Sequence, residues 1–170
     1  MINACPCKSG ASYQDCCQPL HQGNSVADSP EALMRSRYCA FVMELAPYIY
    51  ATHSLATRDN VSVESIEQWN KQCHWCGLEI VTTASDKRAN KVEFIAWYKE
   101  GEQLKQHHEL SLFKSEPLDS LFSQRIELTL APEAVWYYHS ASYPQQQIPL
   151  PKRNDPCICS SGKKFKKCCG

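Results

Sequence analysis

The chain has 170 residues with 18 basic and 18 acidic side chains, so its formal net charge is zero. This balance argues against wholesale binding to nucleic acid or to a membrane surface. Eleven cysteines would be typical of a disulfide-rich secreted domain, but no basic-then-apolar signal region is found at the N-terminus. The apolar run from Tyr38 to Ala51 is interrupted by Glu44 and Pro47 and is too short to span a bilayer. We therefore predict a cytoplasmic protein with reduced thiols.

The first motif consists of two cysteine pairs in the pattern C-x-C-x8-C-C. Thiols at this spacing can converge on one tetrahedral ion. Disulfides are the alternative, but adjacent cysteines rarely bridge each other and the loop between the pairs is very short. Four soft thiolates favour zinc over iron. The pattern predicts a zinc knuckle within residues 1–20, with the ligands Cys5, Cys7, Cys16 and Cys17.

Three helices are predicted after a polar connector at residues 19–25, whose composition is typical of a loop. The first begins at a Ser-Pro-Glu sequence, which supplies a hydroxyl N-cap, a proline in the first turn and a favourable carboxylate. Apolar residues at helical spacing extend it over 29–45. A second, short helix is predicted over 47–55, and a third begins at the N-cap Ser62.

The period then changes to that of β-strands, and the predicted strands cover residues 78–83, 92–98, 107–113 and 135–138. A polar turn at 85–90 separates the first two strands, and 117–131 is a looser segment. Helices followed by antiparallel strands indicate an α+β fold with the helices on one face of the sheet. We expect residues 30–144 to fold independently. The predicted core residues are Tyr38, Phe41, Phe94, Trp97, Leu110, Leu112 and Trp136.

The end of the chain repeats the first motif, after a proline-rich spacer at residues 143–151 that we expect to be stiff and extended. Repetition of the same metal-ligand spacing at both ends is hard to obtain by chance. It predicts a second zinc site within residues 152–170, and hence two zinc ions per chain. Four thiolates leave no open coordination position for a water molecule, so both ions are predicted to be structural. The predicted ligands of the second ion are Cys157, Cys159, Cys168 and Cys169.

Both motifs resemble the SEC-C motif, the zinc-binding tail of the bacterial SecA translocation motor. With one motif at each end, the chain resembles the YchJ-like uncharacterised bacterial proteins. This resemblance implies a middle domain similar to nuclear transport factor 2, a cystatin-like cone of helices packed on a curved antiparallel sheet. The matching landmarks are the sequence Leu-Met-Arg-Ser-Arg-Tyr at 33–38 and the alternate residues Phe94, Ala96, Tyr98, His107, Glu109, Ser111 and Phe113.

The two predicted knuckles differ in charge. Lys8 and Asp15 cancel in the first, whereas residues 151–170 contain six basic residues and one acidic residue, a net charge of +5. A solvated charge run without function would more often be mixed in sign. We predict that the second knuckle docks on an acidic protein or ribosomal (RNA) partner, as the similar SecA tail docks on an acidic chaperone. The candidate partner-binding residues are Lys163, Lys164, Lys166 and Lys167.

The implied fold leaves a pocket between sheet and helices, and this gives the alternative function of an enzyme or small-molecule receptor. His107 and Glu109 are two residues apart on one strand, so they would share a face and could act as a base with its orienting acid. Arg35, Tyr38 and His53, together with Arg37, could line the mouth. The simpler interpretation is a hydrogen-bonded pair that satisfies a sheet face, because fold alone does not imply catalysis. We therefore favour a binding protein over an enzyme.

Cys73 and Cys76 form a C-x-x-C pattern. A redox pair requires a helix N-terminus to stabilise the thiolate, whereas Cys73 is predicted at a helix end, where the dipole is unfavourable. We predict that both are structural and reduced, and that Cys39 is a small packed hydrophobic residue.

Overall fold

The computed structural model describes residues 4–82, 90–125, 132–145 and 148–170. Its helices are α1 (Gln18–Gln22), α2 (Pro30–Val42), α3 (Ala46–Ala51), α4 (Leu55–Arg58), α5 (Val63–Asn70) and α6 (Ser120–Ser123), with a 3-10 turn at Phe165–Lys167. Its strands are β1 (His74–Thr82), β2 (Lys91–Glu100), β3 (Gln103–Pro117) and β4 (Ala134–Ser142). The strands form one antiparallel sheet in the order β1-β2-β3-β4. The predicted α+β class is confirmed.

The N-caps predicted from the sequence form as expected. Ser29 caps α2 by accepting a hydrogen bond from the backbone N–H of Ala32. Ser62 caps α5 in a capping box that it shares with Ser65. Helix α2 ends before the predicted residue 45, because Glu44 adopts a positive φ of 58°. The chain therefore reverses before Pro47 is reached.

Residues 19–25, predicted as a loop, contain helix α1 instead. A proline lies in its first turn, and Gly23 ends it with φ 79°, a left-handed conformation in which its N–H bonds to the carbonyl of Leu20. Its side chains are largely polar, so the helix has no clear apolar period. His21 is nevertheless buried, because α1 packs against α2.

The strands are longer than the sequence patterns predict. Strand β1 begins at His74, directly after the polar residues that end the α5 region, and β3 continues to Pro117. The looser segment contains α6, which Asp119 caps by accepting from the N–H of Phe122. Most of the turn predicted at residues 85–90 lies outside the described residues.

The two faces of the sheet are covered by different parts of the chain. On the helix face, Leu78, Val92 and Phe113 pack with residues of α2. On the opposite face, Ile95 and Trp97 pack with Ile148, Ile158 and Cys169 near the C-terminus. The C-terminal motif thus forms a third layer over β1 and β2.

Only two of the seven predicted core residues are buried. Tyr38 and Trp97 are buried, but they lie on opposite sides of the sheet. Phe41, Phe94, Leu110, Leu112 and Trp136 are only half-buried. The face of β3 that points to the helices is the polar one with Glu109 and Ser111, so the leucines lie on the other face. Phe113, which has 0% exposure, takes the central position instead.

Within the described ranges, none of the helices has both the length and the apolar character needed to cross a lipid bilayer.

Replacement of Phe113 by alanine should lower the free energy of unfolding by about 3–5 kcal/mol, the typical cost of removing a fully buried aromatic ring. Phe94→Ala should cost less, because Phe94 is half-buried. Chemical denaturation of both variants and of the wild type measures which substitution lowers the free energy of unfolding more. A larger loss for Phe94→Ala would contradict this assignment of the core.

Candidate metal centres and central cavity

The N-terminal thiols converge because the chain makes a tight hairpin around them. Ala4 and Ser12 form an antiparallel bridge, and the N–H of Cys5 donates to the carbonyl of Ala11 at 2.8 Å. Lys8 and Gly10 provide the reversal with φ values of 62° and 90°. The hairpin returns the second cysteine pair to the first.

The C-terminal thiols converge in the same way. Pro156 and Lys164 form the corresponding bridge, and the N–H of Cys157 donates to the carbonyl of Lys163 at 2.9 Å. The positive φ values recur at Ser160 (58°) and Gly162 (74°). The sequence repeat is therefore also a structural repeat.

In each cluster the four Sγ atoms lie within 4.8 Å of one another. Neighbouring sulfurs are 3.5 Å apart for Cys7 and Cys16, and 3.3 Å apart for Cys159 and Cys168. A zinc–sulfur bond of about 2.3 Å sets a sulfur–sulfur separation of about 3.8 Å in a tetrahedral site. Both donor sets thus have the number, softness and spacing that a tetrahedral metal ion requires. All eleven cysteines of the chain are free thiols.

The N-terminal cluster packs against helix α2. Cys5, Cys7 and Cys17 are at most 2% exposed. Arg35, on α2, donates from Nη1 to the carbonyl of Cys7 at 2.8 Å and is also paired with Glu31. Arg35 therefore holds the knuckle to the domain, and it is not among the described residues that line the central cavity. Its prediction as a pocket residue is wrong.

His21 links the same knuckle to α2 without joining the thiols. Its Nε2 donates to the carbonyl of Ser36 at 2.9 Å, and its Nδ1 accepts from the hydroxyl of Tyr13 at 3.0 Å. Burial lowers the pKa of His21, in keeping with a neutral ring. Because both nitrogens have partners, His21 is not needed as a metal ligand.

The C-terminal knuckle docks on strand β1 at Gly77. A Cβ atom at this position would lie 2.2 Å from the carbonyl oxygen of Ile158, so only glycine permits this approach. The two knuckles also touch, because Lys8 Nζ donates to the carbonyl of Cys159 at 2.5 Å. Both motifs therefore pack on the central domain.

The four lysines of the C-terminal knuckle, Lys163, Lys164, Lys166 and Lys167, are all exposed. The backbone beneath them is well held: the N–H of Lys166 donates to the carbonyl of Arg153 at 3.1 Å. Phe165, the only aromatic residue of this knuckle, is half-buried and lies close to Gly170. The four lysines thus form an exposed cationic group on a fixed support, and Asp155 is the one acidic residue within residues 151–170.

Between α2, α5 and the sheet lies a cavity of about 580 Å³. Tyr38, His53, His107 and Glu109, four of the five predicted pocket residues, line it. Arg37, named as a further candidate, also lines it.

The polar groups of the cavity occur in two sets. In the first, buried Glu109 accepts from His107 Nε2 at 2.8 Å and from the hydroxyl of Ser111. In the second, Arg37 Nη1 donates to the carbonyl of Ile49 and the hydroxyl of Thr52, both at 2.6 Å. In the first set, Glu109 could orient His107 as a base, or these hydrogen bonds could simply satisfy the polar groups on this face of the sheet. The second is a fixed buried cation.

Burial is the largest cause of the lowered pKa values of Arg37 and of its neighbour His53. It lowers the pKa of Arg37 to about 10, and the guanidinium lies over the ring of Tyr138 at 4.7 Å. Burial, together with the charge of Arg37, lowers the pKa of His53 to about 3. His53 is thus neutral near pH 7, and Arg37 remains charged.

Phe, Trp and Tyr make up nine of the nineteen described residues that line the cavity, and the sequence patterns did not predict this aromatic wall. Trp69 and Trp75 contact each other edge-on at 5.3 Å, and Tyr98 and Tyr143 extend the wall. The available signal was the alternation of Tyr98, Ala96 and Phe94 on β2, which places all three on one face. The rings of Phe94 and Tyr98 are half-buried and line the cavity, and Ala96 between them is buried.

Cys73 and Cys76 do not belong to either thiol cluster in the described chain. Cys73 precedes β1, three residues after α5 ends, so its predicted position at a helix end is wrong. Burial raises the pKa of both thiols. Cys76 is buried and contacts Cys169 of the C-terminal knuckle.

Comparison with known proteins agrees with this architecture. Residues 29–141 match the YchJ middle domain, described as NTF2-like, and residues 153–170 match the SEC-C motif. A UPF0225 protein of Shewanella sp. (strain MR-4) is 41% identical over 97% of this chain and 94% of its own length. A UPF0225 protein of Actinobacillus succinogenes is 34% identical over 100% and 98%.

Two solved structures are also similar. The crystal structure of a SEC-C motif containing protein from Psychrobacter arcticus has 37% sequence identity and a TM-score of 0.64, covering 99% of this chain and 96% of that one. The solution structure of a SEC-C motif containing protein from Rhodopseudomonas palustris has 29% identity and a TM-score of 0.66, covering 83% and 98%.

Gly77→Ala should release the C-terminal knuckle from β1 and leave its thiol cluster intact, because the added methyl group would collide with the Ile158 carbonyl. Trypsin should then cut faster after Lys152 or Arg153, while the metal content stays unchanged. Glu79→Ala, at an exposed position of the same strand, is the control. Equal cleavage rates for Gly77→Ala and the wild type would contradict the docking.

Proposed function

This chain belongs to the YchJ-like family of bacterial proteins with an NTF2-like middle domain and a SEC-C motif, and we propose that it is a zinc-stabilised adapter. In this proposal two zinc ions fix the knuckles on the domain, and the C-terminal knuckle docks an acidic protein. The observation on which the proposal depends is the exposed lysine group on a knuckle that is itself fixed to the domain. Its eleven free thiols suit the reducing bacterial cytoplasm, where we expect it to act.

Zinc is the metal that the donor sets favour. Each cluster offers four thiols and no oxygen ligand, and softness of this kind selects zinc or an iron–sulfur cluster. The chain segments between the cysteine pairs are short and close around a single ion. When bound, zinc would be held by four thiolates at each end, without an open position for a reacting water. The ions would act by holding the fold and not by catalysis.

Elemental analysis of protein purified under reducing conditions should return two zinc ions per chain. Replacing Cys7 and Cys159 singly by serine should each remove one ion, because each belongs to a different cluster. Iron in stoichiometric amount, or a chain without metal, would overturn the zinc assignment.

An acidic protein surface fits the lysine group better than RNA does. Recognition of single-stranded RNA usually uses exposed aromatic rings or arginine planes for stacking. The C-terminal knuckle has one exposed arginine, Arg153, beside its lysines, and its single aromatic ring, Phe165, is turned partly inward. Four ammonium groups on a fixed backbone instead offer attraction to carboxylates, which guides association and sets specificity.

Reversal of Lys163, Lys164, Lys166 and Lys167 to glutamate should abolish capture of the partner from a bacterial lysate and leave zinc content at the wild-type value. The matched control reverses Lys71, Lys91, Lys99 and Lys114 on the central domain, which changes net charge equally. Added salt should weaken wild-type capture, because exposed charges are screened over about 8 Å.

The outcomes separate the possible partners. A protein that is captured by the wild type and the control, lost with the knuckle variant and retained after nuclease treatment supports the proposal. Capture that nuclease abolishes would assign the surface to RNA. Identical capture by both quadruple variants would remove the docking role.

A small-molecule site in the central cavity is the second candidate function. Its volume of about 580 Å³ lies within the range of about 300–1,000 Å³ that is typical of ligand sites. Its wall combines aromatic and aliphatic side chains with a few convergent polar groups around Glu109 and Arg37. We propose that it accepts a flat aromatic molecule with a hydrogen-bond donor directed at Glu109.

Phenol is a suitable probe, because it combines one ring with one donor. Ligand-observed NMR should detect saturation transfer from the wild type to phenol. Ala96→Leu should remove it, since Ala96 lines the cavity and the larger side chain would occupy it. Ala134→Leu, at an exposed position of β4, should not. Transfer that survives Ala96→Leu would exclude the cavity as the binding site.

A further inference from the structure

The N-terminal thiol cluster has a fifth member that the C-x-C-x8-C-C pattern does not include. Cys39, on helix α2, is 0% exposed and packs with Cys5, Cys7 and Cys17. These four are the buried thiols at this end of the molecule, whereas Cys16 is only half-buried. The thiol most sheltered from solvent is thus one that comes from the central domain.

The sulfur contacts place Cys39 beside two of the three buried ligands. Cys5, Cys7 and Cys17 contact one another and form a three-thiol face. Cys16 contacts two corners of this face, at 3.5 Å from Cys7 and 3.8 Å from Cys17. Cys39 also contacts two corners of this face. Its Sγ lies 3.9 Å from the Sγ of Cys5, and it packs against Cys17. A separation of about 3.8 Å is that of two ligands of one tetrahedral zinc ion.

We propose that the N-terminal centre is a five-thiol site for a soft divalent ion, in which Cys39 can replace Cys16 as the fourth ligand. The inference rests on the metal binding proposed above. Two overlapping tetrahedral sets then share Cys5, Cys7 and Cys17 and differ in the fourth thiol. In one set the fourth ligand belongs to the knuckle, and in the other it belongs to α2.

The arrangement has a chemical consequence. Cys16 is the ligand that a competing thiol or chelator from solution reaches first, because the other three are buried. If Cys16 were displaced, Cys39 would offer a fourth thiol beside Cys5, Cys7 and Cys17, so the centre would still present four thiol ligands. The N-terminal ion should therefore be retained where a four-thiol site would lose it.

The C-terminal cluster provides the internal comparison. Its nearby domain thiol, Cys76, packs in a cluster that includes Cys169 and none of the other three described ligands. Cys168 is the equivalent of Cys16 in the repeat and is exposed. Cys76 touches one corner only, so it is not placed to replace Cys168.

The test compares metal content and thiolate coordination of the full chain with cobalt(II) as the probe. Cys16→Ala should retain two ions per chain, with the sulfur-to-cobalt charge-transfer intensity of eight thiolates. Cys16→Ala combined with Cys39→Ser should retain one ion with about half of that intensity. Cys39→Ser alone should retain both ions, and Cys168→Ala should retain one.

Loss of an ion in Cys16→Ala would overturn the inference while two ions in the wild type still support the proposed metal binding. Retention of both ions in the double variant would also overturn it, because Cys39 would then not be the replacing ligand. A wild type without metal would instead remove the proposed function and the inference together. Helical content by circular dichroism checks that each variant is folded.

Discussion

Four thiols converge at each end of the chain, and each of these clusters packs against the central domain. Neither motif has enough apolar side chains to form a core, so a bound ion is what can hold its hairpin closed. The hairpins then serve as packing surfaces: the first covers α2, and the second covers the outer face of β1 and β2. If the proposed ions are bound, metal binding would therefore be coupled to knuckle docking and to the stability of the central domain.

The thiol clusters and the fold class could be predicted because they depend on local signals. Spacing alone identified the eight clustered cysteines, and hydroxyl caps located α2 and α5. Arg35 was wrongly predicted to line the cavity. Its side chain points to the carbonyl of Cys7 in the knuckle, which is distant in sequence. The docking of Ile158 on Gly77 and the contact of Cys39 with Cys5 are likewise long-range contacts without a pattern of their own.

The polar row on β3 explains why the cavity exists. A strand with leucines at every inward position would fill the space beneath α2, but His107, Glu109 and Ser111 occupy these positions and pair with one another. The paired polar groups satisfy the sheet face and leave volume that the aromatic rings surround. The hydrogen-bonded pair anticipated from the sequence is present, and the cavity depends on it whether or not a ligand is bound.

Hydrogen exchange of the full chain before and after removal of metal by a chelator under reducing conditions tests the coupling most directly. We expect the amides of α2, Pro30–Val42, to lose protection together with those of the two knuckles, because Cys39 and Arg35 join α2 to the N-terminal hairpin. Faster exchange confined to residues 4–17 and 157–170, with α2 unchanged, would contradict this expectation.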